Sequence, residues 1–245
     1  MMPETSKVMS STARSEPLAI GLPLPVEIRP VRGARRLGLR MDERRGILKL
    51  TCPLRYPRAK ALAWASEQRE WVEAQLAAAL PGEPFEPGAV IPLDGRCVQL
   101  VWEAGRARTP TLEQDRIVCG GPPDAFPARI ERFLRRMARD LLSRETADLA
   151  ALARAEVISV GVGDADTRWG SCSSAGRIRY SWRLVLAPPE ARRYVVAHEV
   201  AHLVHLNHGP DFKALEAQLF GGDCASARAL LRSAGPRLRS LGRDR

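Results

Sequence analysis

The run His198-Glu199-Val200-Ala201-His202-Leu203-Val204-His205-Leu206-Asn207-His208 holds all four histidines of the 245-residue chain. It opens as His-Glu-x-x-His, with apolar residues filling the gaps. On a helix, residues four apart lie one above the other on a single face. His198 and His202 can therefore grip one metal ion between them. Glu199 need not be a ligand and can address a water activated by the ion. A catalytic zinc normally takes three protein ligands and keeps one position open. His205 shares a face with His198, but the helical rise carries it roughly 10 Å along the axis. His208 can close the set if the helix turns sharply first, and Asn207 with Gly209-Pro210 supplies residues that stop a helix. The expected ligands of a Zn2+ ion are therefore His198, His202 and His208. Glu199 is the expected catalytic base, and His205 has a supporting place.

Working back along the chain, Arg177–Leu186 and Val157–Val160 read as strands, with Pro188-Pro189 leading into a metal helix that starts near Ala191. A long helix is expected over Asp124 to Ala155. Ile130, Phe133, Leu134, Met137 and Leu141 fall on one face, and Arg129, Arg132, Arg136 and Arg139 on the opposite one. Gly120-Gly121-Pro122-Pro123 reads as a linker. Before it, strand-like pieces stand at Val26–Arg32, Leu37–Met41, Ile47–Cys52, Cys97–Trp102, Arg106–Pro110 and Arg116–Cys119. One Ala- and Leu-rich helix spans about Pro57 to Leu80, with Trp64, Trp71, Val72 and Leu76 at helical spacing. The expected architecture is α+β. A flexible tail covers 1–22, a β-rich domain with one helix covers 23–122, and a zincin-like hydrolase domain covers 123–245.

Composition bounds the function. Hydrophobic residues at 45% and charged residues at 27% suit a water-soluble globular protein. No stretch approaches the roughly 20 apolar residues of a membrane span, and residues 1–22 lack the apolar core of a secretory signal. The five cysteines are scattered and show no CxxC pair, which suits a reduced, cytoplasmic setting better than a disulfide framework. The net charge of +10 admits nucleic acid or a nucleotide as partner. Composition is the preferred explanation, since arginine far outnumbers the lysines Lys7, Lys49, Lys60 and Lys213, as a GC-rich genome would give whatever the function. Gly161-Val162-Gly163 lacks the third glycine of a dinucleotide fingerprint, and no P-loop is present. A metzincin needs a methionine turn after the motif, yet Met1, Met2, Met9, Met41 and Met137 all precede it.

The segment Thr167-Arg168-Trp169-Gly170-Ser171-Cys172-Ser173-Ser174, followed by Trp182-Arg183-Leu184 and Ala187-Pro188-Pro189, resembles the YgjP-like metallopeptidases, relatives of the SprT-like zincins. So does Tyr194 to Leu203, closing with Asn207-His208-Gly209-Pro210-Asp211-Phe212. The likeness is dense from Thr167 to Phe212 and looser around Trp71 and Phe85-Glu86-Pro87-Gly88. It implies a β-rich N-terminal region joined to a minimal zincin domain. It also implies zinc at His198, His202 and His208, with Glu199 as base. Val200 stands where leucine is usual, and Gly209 where serine is common. The Arg168–Ser174 segment either lines the cleft or is a turn fixed by Trp169 against Trp182. Cys172 is a candidate fourth ligand of a closed site, though Glu199 beside the ion argues for an open one. Arg168, Arg183, Tyr180 and Tyr194 are candidates for stabilising a developing oxyanion.

Three functions follow. The first is a zinc-dependent metallopeptidase acting on a peptide or protein presented along a strand edge. The second is a metal-dependent nucleoside triphosphate pyrophosphohydrolase, with arginines neutralising the phosphates. The third is a DNA-associated SprT-like protease, with Arg29, Arg32, Arg35, Arg36, Arg40, Arg44 and Arg45 as its basic surface.

Overall fold

The structure, a computed structural model, describes residues 16–42, 45–78, 80–165 and 167–243. The fold is α+β, and the chain divides into two compact units, Met1–Ala79 and Leu80–Arg245. The boundary expected over Gly120–Pro123 falls inside the second unit. The reason is packing: Ile91, Leu93, Val98, Leu100 and Ile117 join the same buried core as Ile130, Leu134 and Val196.

In the first unit, strands β1 (Val26–Val31), β2 (Gly38–Asp42) and β3 (Ile47–Pro53) form a sheet of order β1-β3-β2. Leu48, Leu50 and Cys52 alternate along β3 and are buried, as the two-residue period of a half-buried strand requires. The expected single helix is two, α1 (Arg58–Ser66) and α2 (Arg69–Ala78), which put Ala61, Ala65 and Val72 into the core of this unit. The break at Glu67-Gln68 turns the helical face, so Trp71 and Leu76, expected on the apolar side, are exposed. Of the tail expected over 1–22, residues 1–15 lie outside the described ones. Leu18 forms a bridge with Val26, and Leu18, Ile20 and Leu22 pack on the core.

The second unit opens with β4 (Val90–Leu93), β5 (Arg96–Trp102), β6 (Thr111–Glu113) and β7 (Arg116–Cys119), ordered β4-β5-β7-β6. The strand expected at Arg106–Pro110 is displaced to Thr111–Glu113, because a turn at Gly105 (φ 81°) precedes it. β4 went unread because Pro92 breaks its pattern; it is an edge strand, where proline is tolerated. Asp94-Gly95, both at positive φ, closes the β4–β5 hairpin.

Helix α3 (Phe126–Ala153) follows, burying Ile130, Phe133 and Leu134 as its periodicity requires. Arg132, Arg136 and Arg139 are exposed, but Arg129 is buried and donates to the Pro122 carbonyl at 2.8 Å. The expected arginine stripe is thus interrupted at its first member. Strands β8 (Ser159–Gly163), β9 (Gly170–Cys172) and β10 (Arg177–Ser181) form a second small sheet of order β8-β10-β9. The strand expected to run on to Leu186 ends at Ser181, whose hydroxyl accepts from the Arg183 amide and starts a buried 3-10 turn over Trp182–Leu186. Helices α4 (Pro189–Val204), α5 (Pro210–Phe220) and α6 (Cys224–Ser240) complete the unit. Pro189 opens α4 at a position where its missing N–H costs nothing. Ala191, Val195, Val196, Ala197, Val200 and Ala201 are all buried, so α4 is a core helix rather than an amphipathic surface one. Among the described residues no helix is long and apolar enough to cross a membrane.

Candidate metal centre

Burial of α4 limits which of its polar side chains can serve a site. His198 and His202 are half-buried one turn apart, and Glu199 is 5% exposed. α4 ends at Val204 and His205 takes an extended conformation (φ −125°, ψ 111°). The chain then reverses and brings His208 back before Pro210 begins α5. The result is that ring nitrogens of His198, His202 and His208 lie within 4.8 Å of one another. Among the described residues no other group of His, Cys, Asp or Glu converges in this way.

The tautomers follow from the partners. His202 Nδ1–H donates to the His205 carbonyl at 3.1 Å, and His198 Nδ1–H donates to Glu216 Oε1 at 2.7 Å. A carbonyl can only accept, so in the neutral tautomer of His202 the lone pair lies on Nε2; a carboxylate partner does the same for His198. His198 Nε2 and His208 Nε2 stand 3.3 Å apart. Two nitrogens bound tetrahedrally at about 2.0–2.1 Å from zinc would be separated by about that distance. Burial, opposed by Glu216, lowers the pKa of His198 and favours the neutral ring a ligand must have. The donor set and its spacing fit a zinc ion.

Phe212, 1% exposed, supports all three rings, with its centroid 5.1 Å from His198 and 4.6 Å from both His202 and His208. Phe212 and Glu216 are four apart on α5 and so share the face turned to the imidazoles. Glu216 was missed from the sequence. Its signal was there, an acidic residue one turn after Phe212, but nothing local says which helix it faces. His205 contributes its carbonyl rather than its ring.

Burial, partly offset by the charge of Arg168, pushes the Glu199 carboxyl up to about 7. A divalent cation close by would draw it back down. Gly170 on β9 packs directly on this carboxyl: a Cβ there would lie 2.4 Å from Glu199 Oε1. The Arg168–Ser174 segment therefore borders Glu199 through its backbone. Trp169 and Trp182 have different partners, Arg239 lying 4.7 Å over the first ring and Phe85 meeting the second edge-on at 6.4 Å. Cys172 is outside the converging group, and burial with the nearby Glu199 charge raises its thiol pKa, which disfavours the thiolate a ligand would need.

Two of the four oxyanion candidates are engaged elsewhere. Arg183 is buried and donates to Asp164 and to the carbonyls of Leu238 and Leu241. Tyr180 is buried against Thr146 at 3.0 Å, and burial raises its pKa strongly. Tyr194 lines a pocket with His198 and His208, and Arg168 is exposed with its charge felt by Glu199.

A core helix carrying His-Glu-x-x-His, a third imidazole returned by a turn and a short edge strand beside the glutamate define the class of metal-dependent hydrolases. The family model described as the YgjP-like metallopeptidase domain matches residues 35–234, and the chain belongs to that family. No curated protein and no solved structure matches it.

Proposed function

We propose that the protein is a zinc-dependent peptidase in which His198, His202 and His208 hold the ion and Glu199 is the general base. The observation that carries this reading is the convergence of three imidazoles, two of them with Nδ1 tied to an acceptor, beside a buried carboxyl. When bound, zinc lowers the pKa of a water towards about 7 and polarises a carbonyl. Glu199 takes the proton of the attacking water and returns it to the departing amine. Its burial excludes competing solvent, and Gly170 leaves the space beside β9 that the carboxyl occupies, which a Cβ would take. β9 is the edge of its sheet, so an extended substrate can add a strand alongside it, within reach of Glu199. Arg168, exposed with its charge felt by Glu199, supplies donors for the negative charge that develops on the carbonyl oxygen.

Elemental analysis of the purified protein, with parallel incubation on unfolded casein and on a nucleotide panel, tests this. The expected result is about one zinc per chain and fragments from casein, lost on chelation and restored by zinc. Product from nucleotides alone would assign the centre to phosphoanhydrides. Of the arginines expected to form a DNA-binding surface, Arg29 and Arg45 pair with buried Glu27, Arg44 lies outside the described residues, and Arg32, Arg35, Arg36 and Arg40 are exposed. A steep fall of DNA retention with salt would support that surface.

A further inference from the structure

A pocket of about 310 Å³ opens directly beside the imidazole cluster, bounded by α4, α5 and α6. That volume is at the small end of ligand pockets. His198 and His208 form one wall, Phe212 and Tyr194 give it aromatic surface, and Lys213 and Arg228 line it as cations. Among the described residues that line it, Glu216 is the one acidic side chain. That carboxylate is already engaged by His198 at 2.7 Å. Its other oxygen lies 3.9 Å from the Arg228 guanidinium, beyond hydrogen-bond range. Arg228 is oriented instead by its Nε–H donating to the Tyr194 hydroxyl at 3.1 Å, and its side chain is 54% exposed. The pocket wall thus presents two positive charges against one negative charge that an imidazole already shares.

We propose that Arg228 and Lys213 form a carboxylate-binding subsite that selects peptides carrying a carboxylate next to the cleaved bond. The proposal rests on the peptidase reading, which supplies a peptide as the occupant. A planar guanidinium held by one edge offers its remaining donors as a fork that matches a carboxylate. Because the same pocket is lined by His198 and His208, the recognised group sits within one pocket's length of the reacting carbonyl. The carboxylate can be the free C-terminus of a short peptide or the side chain of an Asp or Glu residue. Phe212 and Tyr194 would pack the aliphatic part of that residue.

The test uses zinc-loaded protein and three peptides of one sequence: the free acid, the C-terminal carboxamide, and the carboxamide with glutamate beside the scissile bond. Casein serves as a positive control, and fragments are read by mass spectrometry. The free acid should be cut about tenfold to a hundredfold faster in kcat/KM than the plain carboxamide, the range for losing charge-assisted hydrogen bonds. Recovery by the glutamate peptide assigns the subsite to side chains; no recovery assigns it to the chain end. Arg228→Gln and, separately, Lys213→Gln should bring the acid-to-amide ratio towards one. Zinc content and the thermal midpoint are measured alongside, since loosening Glu216 would alter those and not the ratio. Lys213→Gln keeps the test decisive if Arg228→Gln folds poorly. In Glu199→Gln protein, calorimetry should find the free acid bound more tightly than the carboxamide. Equal cutting of acid and amide alongside cleaved casein overturns the subsite and leaves the peptidase reading standing. Intact casein and peptides overturn both. Inhibition by inorganic phosphate but not by acetate would overturn the carboxylate assignment.

Discussion

Glu27 in the first unit and Glu199 in the second are both buried, yet the two carboxyls are treated in opposite ways. Glu27 on β1 is 1% exposed and is gripped by Arg29 at 2.7 Å and by Arg45. Burial raises its carboxyl, but those two guanidinium groups outweigh burial and leave its pKa lowered. Glu199 on α4 is 5% exposed, and burial dominates over the charge of Arg168, leaving the pKa raised to about 7. The first is an ion-paired element of its sheet. The second is a carboxyl with no ion pair among the described residues, an environment that suits the proton-carrying role proposed for it.

The contrast is broken most severely at Glu199 itself. Glu199→Gln should lower kcat by about a hundredfold to ten-thousandfold while bound zinc, read by elemental analysis, stays unchanged. Retained turnover would remove Glu199 from the chemistry. Next comes Gly170→Ala, whose Cβ collides with Glu199 Oε1 and Cγ. A carboxyl displaced by about 1 Å can cost about a hundredfold in rate, so kcat should fall with KM and thermal midpoint little changed. An unchanged kcat would mean that β9 does not set the position of the carboxyl. Glu216→Gln keeps the shape but not the charge behind His198, and zinc affinity should weaken about tenfold to a hundredfold in a chelator competition. Affinity equal to wild type would sever the link between α5 and the centre.

The smallest effect is in stability, and its sign separates the two glutamates. Glu27 has a lowered folded pKa, so its contribution is present above about 4.5, the ordinary glutamate value, and is lost as pH falls through the folded value. Glu199 has a raised one, so its contribution is present below about 4.5 and is lost as pH rises through about 7. In metal-stripped protein, Glu27→Gln should cost about 1–3 kcal/mol near pH 7 and less in acid. Glu199→Gln should instead flatten the loss of stability between pH 4.5 and 7. Denaturant midpoints across that range check both, and parallel pH curves for the two variants would refute the distinction.

Much of this was legible from residues alone. The spacing of His198 and His202, the helix stop before His208, the apolar face of α3 and the strands β1, β2, β3, β5 and β7 all announce themselves through local period and turn chemistry. The sequence reading failed where local signals mislead. Pro92 hides β4, the Glu67-Gln68 break divides an otherwise continuous helical pattern, and Ser181 ends β10 by a hydroxyl cap rather than by a glycine or proline. The division of the chain between Ala79 and Leu80 was unreadable because the Gly120–Pro123 turn looks like a linker. Only three-dimensional packing joins the preceding strands to the core of α3.

From the amino-acid order alone came the α+β class, a His-Glu-x-x-His motif at helical spacing and the residues proposed to serve an ion, because periodicity and turn chemistry are local properties. Tertiary structure alone decided that Glu216 backs His198, that Phe212 carries all three imidazoles, that Gly170 abuts Glu199, and that Arg228 and Lys213 share a pocket with the centre. Those contacts join residues up to about thirty positions apart, most of them on different elements, and no local rule of spacing states which faces of two helices will meet.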